Sequence, residues 1–209
     1  MEPGRIRIHC MPSGPLDVNC YIIGSEGGEV LVIDPGGPGV ARYLIKTGLK
    51  PMAAIDTHGH FDHVGGNRLL KETFPSMKLM IHRDGAGFLA AAGEHAGYWG
   101  MPFEDSPEPD RLLINGDTVA VEGLSFRIIH TPGHSPGGIS IHLPGHVFTG
   151  DALFKGSIGR TDLPGGDHAL LLESIRQKLL SLPDDTVVHP GHGPETTIGM
   201  EKDSNPFLQ

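Results

Sequence analysis

Short apolar runs, rather than long periodic ones, dominate the chain. Ile6 to His9 alternates and predicts a first strand. Cys20 to Ile23 and Val30 to Ile33 are nearly all apolar and predict buried strands, with a hairpin turn at Gly27-Gly28 between them. Asp34-Pro35-Gly36-Gly37 closes the third run. Val40 to Thr47 has helical spacing and Gly48 is placed to cap it. Ala53 to Thr57 is the next strand, Asn67 to Phe74 a helix, Leu79 to His82 a strand, and Asp84 caps a short helix through Phe88-Leu89-Ala90. From Gly93 to Asp110 the pattern dissolves into Gly, Pro, Glu and Asp around Tyr98, Trp99 and Phe103, which predicts a long loop.

A second strand-rich run follows: Thr118 to Val121, Phe126 to His130, Ile139 to His142 and His146 to Thr149. Asp167 then caps an amphipathic helix with Leu171, Leu172, Ile175, Leu179 and Leu182 on one face, ended by Pro183. Thr186 to His189 is the final strand, and Pro190 to Gly193 a turn. Strands, helix, strand, helix, then strands, helix, strand fit two β-sheets packed face to face with helices outside.

Composition narrows the class. A chain of 209 residues suits one domain with a sizeable core. A formal charge of -9 argues against a nucleic-acid partner. No apolar run approaches the ~18 residues of a membrane span, and Met1 to Ile8 carries charge and no apolar leader core. Cys10 and Cys20 lack metal spacing and read as reduced thiols, which points to the cytoplasm.

Thirteen histidines change the picture, because they are not scattered evenly. Thr57-His58-Gly59-His60-Phe61-Asp62-His63 crowds three histidines and an aspartate at a strand end. Neutral imidazole and carboxylate are good ligands for divalent ions, and packing gives no reason for such a cluster. Three further strand ends carry ligand-type residues beside glycine: His134, Asp151 and His192. Five histidines and two aspartates exceed what one tetrahedral ion needs and suit two ions if one carboxylate bridges. His82, His95, His130, His142, His146, His168 and His189 have no comparable context, and His189 is expected nearest the site.

His58-x-His60-x-Asp62-His63, followed in order by His134, Asp151 and His192, resembles the metallo-β-lactamase superfamily. The resemblance implies an α/β fold, a four-layer αββα sandwich, over a single domain spanning 1–209. It also implies that His58, His60 and His134 hold one ion, that Asp62, His63 and His192 hold another, and that Asp151 bridges them. Zinc is the first expectation, with iron or manganese as alternatives. Within the superfamily the chain is most similar to glyoxalase II and to its short bacterial glyoxalase II-like relatives. The marks are Gly150-Asp151-Ala152-Leu153-Phe154, Gly159-Arg160 and Pro190-Gly191-His192-Gly193-Pro194, with Asn205-Pro206-Phe207-Leu208 after them. The expected activity is hydrolysis of a small-molecule thioester, S-lactoylglutathione or a related hydroxyacyl thioester, by a metal-bridging hydroxide that Asp62 orients. The C-terminal helical domain of full-length glyoxalase II is not expected here, so other ester or lactone substrates stay open. Arg160 stands where related glyoxalases use a lysine to hold a glutathione carboxylate; a salt bridge is the competing reading. Persulfide dioxygenases share the Gly159-Arg160-Thr161-Asp162 style of sequence and imply a different chemistry, one iron on His58, His134 and Asp151.

Overall fold

The computed structural model describes residues 6–209. Met1–Arg5, part of the segment read as free of a leader, lie outside the described residues. Six strands form the first sheet in chain order: β1 (Arg7–Ser13), β2 (Val18–Gly24), β3 (Glu29–Ile33), β4 (Lys50–Asp56), β5 (Lys78–His82) and β6 (Arg111–Leu113). β1 to β3 are antiparallel, and β3 to β6 run parallel through helical crossovers. The second sheet contains β7 (Thr118–Val121), β8 (Leu124–His130), β9 (Ile139–Leu143) and β10 (His146–Gly150). A small hairpin, β11 (Leu153–Phe154) with β12 (Ser157–Ile158), stands apart. β13 (Val187–Pro190) then joins β10 in parallel, and β14 (Thr196–Thr197) closes the edge.

Three apolar layers hold this together. Between the sheets, Tyr21, Ile33 and Ile55 meet Phe126, Ile141 and Phe148. Outside the first sheet, α1 (Gly39–Thr47) and α3 (Asn67–Thr73) cover Ile22, Val32 and Leu79 with Leu44 and Leu70. Outside the second, α6 (His168–Ser174) and α7 (Ile198–Ser204) cover Val147 and Val188. Central strands are thus buried on both faces, which is why they read as continuous apolar runs. Toward the sheet edge β8 alternates, with Phe126 and Ile128 inward and Ser125 and Arg127 exposed. The architecture is the expected αββα sandwich.

Several elements differ from the sequence reading. The histidine cluster is not all loop: Phe61–Val64 turns into a short helix, α2. After α4 (Ala86–Ala90), α5 (Ala92–Tyr98) occupies the start of the expected Gly93–Asp110 loop. Its buried stripe is only Ala92 and Ala96, and Gly93 and Gly97 inside it mask the helical signal. β6 was also hidden, in Arg-Leu-Leu beside a charged turn. The helix after Asp167 is not uniform: α6 opens into a wide π turn at Ile175–Leu179. α7, β11, β12 and β14 were not anticipated; the strands among them are only two residues long. Cys10 and Cys20 are free, one exposed and one buried. Cys10 pairs with Tyr21 and Cys20 with Met11, so the two thiols leave opposite faces of the sheet and cannot bridge.

The core sets an expected contrast. Phe126→Ala should cost about 3–5 kcal/mol, since the ring is fully enclosed between the sheets. Ile45→Ala on α1, 61% exposed, should stay within about 0.5 kcal/mol. Urea unfolding followed by circular dichroism checks this, and equal losses would contradict the layer assignment.

Candidate metal centre

β3, β4, β5, β10 and β13 share a direction within their sheets, and their carboxyl ends lie at one edge of the sandwich. Open α/β sheets bind ligands at such edges. β4 delivers His58 and His60; α2 delivers Asp62 and His63. The loop after β8 carries His134, the residue after β10 is Asp151, and the turn after β13 carries His192. Ile139 N–H donates to the Thr57 carbonyl at 2.9 Å, and Gly191 N–H to the Gly150 carbonyl at 2.8 Å, tying these ends together.

All seven side chains converge. His58 Nε2, His60 Nδ1 and His134 Nε2 lie 3.0–3.2 Å from one another. Asp62 Oδ2 stands 3.2 Å from His192 Nε2 and 3.6 Å from His63 Nε2. Asp151 lies between the two groups. Its Oδ1 is 3.4 Å from His63 Nε2, and its Oδ2 is 3.7 Å from His134 Nε2 and 3.9 Å from His192 Nε2. Gly191 is required here: a Cβ on it would fall 2.3 Å from Asp151 Oδ1.

Supporting hydrogen bonds aim the rings. His58 Nδ1 donates to Thr57 Oγ1 at 3.1 Å, and His134 Nδ1 to the Arg160 carbonyl at 2.8 Å. His63 Nδ1 donates to Asp34 Oδ2 at 2.9 Å. In the neutral ring each such bond commits the Nδ1 proton and leaves Nε2 facing inward as a lone-pair donor. Asp34 also accepts from Thr57 N–H at 2.7 Å and Thr57 Oγ1 at 2.8 Å. It does so from the left-handed region, at φ 51°, a conformation aspartate tolerates better than most residues. The loop holding His134 is fixed from the helix behind it. Ser174 Oγ donates to the Pro132 carbonyl at 2.9 Å and Lys178 Nζ to the His130 carbonyl at 2.7 Å.

The electrostatics suit a cation. Burial, then the neighbouring imidazoles His63, His60 and His134, hold His58 neutral, well below the usual histidine range. Burial and His134 push His60 down to about 3. Burial opposes charge on Asp151, but His63 above all holds its carboxyl below the usual range. In turn, against burial, Asp151, Asp62 and Asp34 push His63 well up, so that without a cation His63 carries the compensating proton. His63 Nε2 and Asp151 Oδ1 are buried without a hydrogen-bond partner. Bare imidazole nitrogens packed together and orphaned buried polar atoms are costly unless a cation satisfies them. The donor set therefore fits divalent metal.

Arg160 does not point into this cluster. Its guanidinium makes a bidentate pair with Asp162, at 2.7 and 2.8 Å, while its carbonyl supports His134. His189 precedes the His192 turn but bonds His146 and Glu195 instead, at 3.0 and 2.8 Å. His82, Asp84 and His130 form another group. There the two rings stack nearly parallel at 4.0 Å, so their in-plane lone pairs cannot meet at one ion. The sequence reading missed Asp34 as a supporting residue. Its signal was available: it too is a carboxylate at a strand end, opening the turn Asp34-Pro35-Gly36-Gly37.

The chain belongs to the metallo-beta-lactamase superfamily, whose model matches residues 13–192. It is a metallo-hydrolase of that superfamily, and the fold binds divalent metal ions. The Bacillus subtilis protein named "Probable metallo-hydrolase YqgX" is 40% identical over 203 residues, covering 95% of each chain. The hydroxyacylglutathione hydrolase GloC of Haemophilus influenzae is 40% identical over 209 residues, covering 97% of this chain and 98% of that one. Among solved structures, the BLEG-1 B3 metallo-beta-lactamase superposes with a TM-score of 0.90 at 40% identity, covering 97% of this chain and all of the other. TTHA1623 in a di-iron-bound form gives a TM-score of 0.87 at 41% identity, covering 96% of this chain and all of the other. Among the described residues no helix is long and apolar enough to cross a membrane.

Asp34→Ala should lower metal affinity on the order of 10–100-fold by freeing His63 and Thr57. Competition with a chromophoric chelator measures it, and an unchanged affinity would remove Asp34 from the support.

Proposed function

We propose that the chain hydrolyses a hydroxyacyl thioester, with S-lactoylglutathione as the type substrate, on a centre of two divalent ions. The observation that carries this reading is the pair of ligand triads meeting at Asp151. His58, His60 and His134 would hold one ion, Asp62, His63 and His192 the other, with Asp151 between them. Similarity to GloC supports the substrate class. Zinc is the first candidate metal. The likeness to a di-iron protein supports iron equally, since His and carboxylate donors without thiolate accept either. The reading places the enzyme in the cytoplasm, acting on a small molecule.

When bound, the ions supply an acidified water and a Lewis acid for the carbonyl. The protein's own groups do the rest. Burial opposes charge on Asp62, but His63 and His192 hold its carboxyl below the usual range, so it accepts a hydrogen bond from the attacking water and orients it. The Phe88 ring stands edge-on to His60 at 6.1 Å and packs against His95 at 5.9 Å, forming an apolar wall for the acyl group. The leaving thiolate, of pKa about 8.5, departs without a dedicated proton donor. Arg160 is exposed, and its ion pair with Asp162 is of the weak surface kind. A substrate carboxylate can take Asp162's place there. A one-iron dioxygenase would use His58, His134 and Asp151 alone. The second triad of Asp62, His63 and His192 favours the hydrolase.

Metal-loaded protein given S-lactoylglutathione should release thiol, and His58→Ala should abolish release. No release above that variant would sink the thioesterase reading. Arg160→Ala should raise KM with little change in kcat, since it removes binding shared by ground and transition states.

A further inference from the structure

His192 sits on the least self-supporting segment of the centre. Glycines flank it on both sides, and Gly193 adopts φ 79°. Its side chain is 32% exposed, against 0% for His63 and 10% for Asp62 in the same triad. The turn is nonetheless pinned at three backbone carbonyls around it, those of Pro190, Gly191 and Gly193, from the opposite sheet. Asn19 on β2 donates through its side-chain amide to the Pro190 carbonyl at 3.0 Å and to the Gly193 carbonyl at 2.8 Å. Its backbone N–H donates to the Gly191 carbonyl at 2.7 Å. Two residues on, Tyr21 Oη donates to the Pro190 carbonyl at 2.7 Å. The Tyr21 ring is 2% exposed and packs edge-on against Phe148 and His189, so it is a rigid strut.

No comparable bond runs from β2 to the ligands of the other triad among the described residues. His58 and His60 leave β4 directly, and His134 is braced by the Arg160 carbonyl, Ser174 and Lys178. Asp34 serves both triads, through His63 and through Thr57 to His58, but the support from β2 reaches only the triad that contains His192.

We infer that Asn19 and Tyr21 are positioning residues that set the affinity of the second ion, on Asp62, His63 and His192, independently of the first. The inference rests on the two-ion reading above. Asn19 carries the larger share, because its side chain joins the carbonyls on both sides of His192. Removing that side chain frees the turn between two flexible glycines, and His192 must then be ordered when the ion binds. The backbone bond from Asn19 to Gly191 survives the substitution, so the fold should too.

The test is stepwise metal binding to the full chain, with zinc titrated against a chromophoric chelator. Wild type, Asn19→Ala and Tyr21→Phe are compared, with thermal unfolding of the metal-free proteins alongside. The expected result is two steps in wild type, a second step weakened on the order of 10-fold in Asn19→Ala and less in Tyr21→Phe, and an unchanged first step. Two wild-type steps with the second unmoved in Asn19→Ala would overturn the inference alone. Equal weakening of both steps would also overturn it, showing a general structural role. A single step in wild type would overturn the two-ion reading and the inference with it.

Discussion

Asp34 is the constraint on which the centre depends. Its carboxylate is buried and accepts three hydrogen bonds, from the backbone and hydroxyl of Thr57 and from His63. An ionised carboxylate out of water is stable only when paired or bonded in this way. In satisfying itself it joins the ends of β3 and β4 to α2. It thereby fixes the direction of His63 directly and of His58 through Thr57. The left-handed backbone at Asp34 is what brings the carboxylate under both.

From that anchor the two sheets act as separate arms closing on one volume. The first sheet contributes a contiguous stretch bearing four of the seven converging side chains. The second contributes three single side chains, each after its own strand and each beside glycine. The arms are locked by the backbone bond from Ile139 N–H to the Thr57 carbonyl, and by the side chains of Asn19 and Tyr21 reaching the His192 turn. The apolar layer between the sheets sets their spacing, so the site is a consequence of the core and not an ornament on it.

Much of this was readable in the residues. Strands buried on both faces announced themselves as apolar runs, and the seven converging side chains are those singled out by type and by their place at strand ends. What escaped was local and short. α5 has only alanines to bury, β14 has two residues, and the π turn in the last helical run leaves no mark on the spacing of Leu171, Ile175 and Leu179. Arg160 shows another limit: its position beside the site was legible, but whether its guanidinium meets a substrate or Asp162 depends on a neighbour two residues away. The roles of Asn19 and Tyr21 needed three dimensions, because their partners lie about 170 residues further along.

The central claim is that the seven side chains form one two-ion centre bridged by Asp151. Anomalous diffraction from metal-loaded crystals, collected at the edge of the bound metal, addresses it directly. The expected map has two peaks about 3.5–4 Å apart, one at His58, His60 and His134, the other at Asp62, His63 and His192, with Asp151 between. A single peak, or a second one away from Asp62, His63 and His192, would contradict the account.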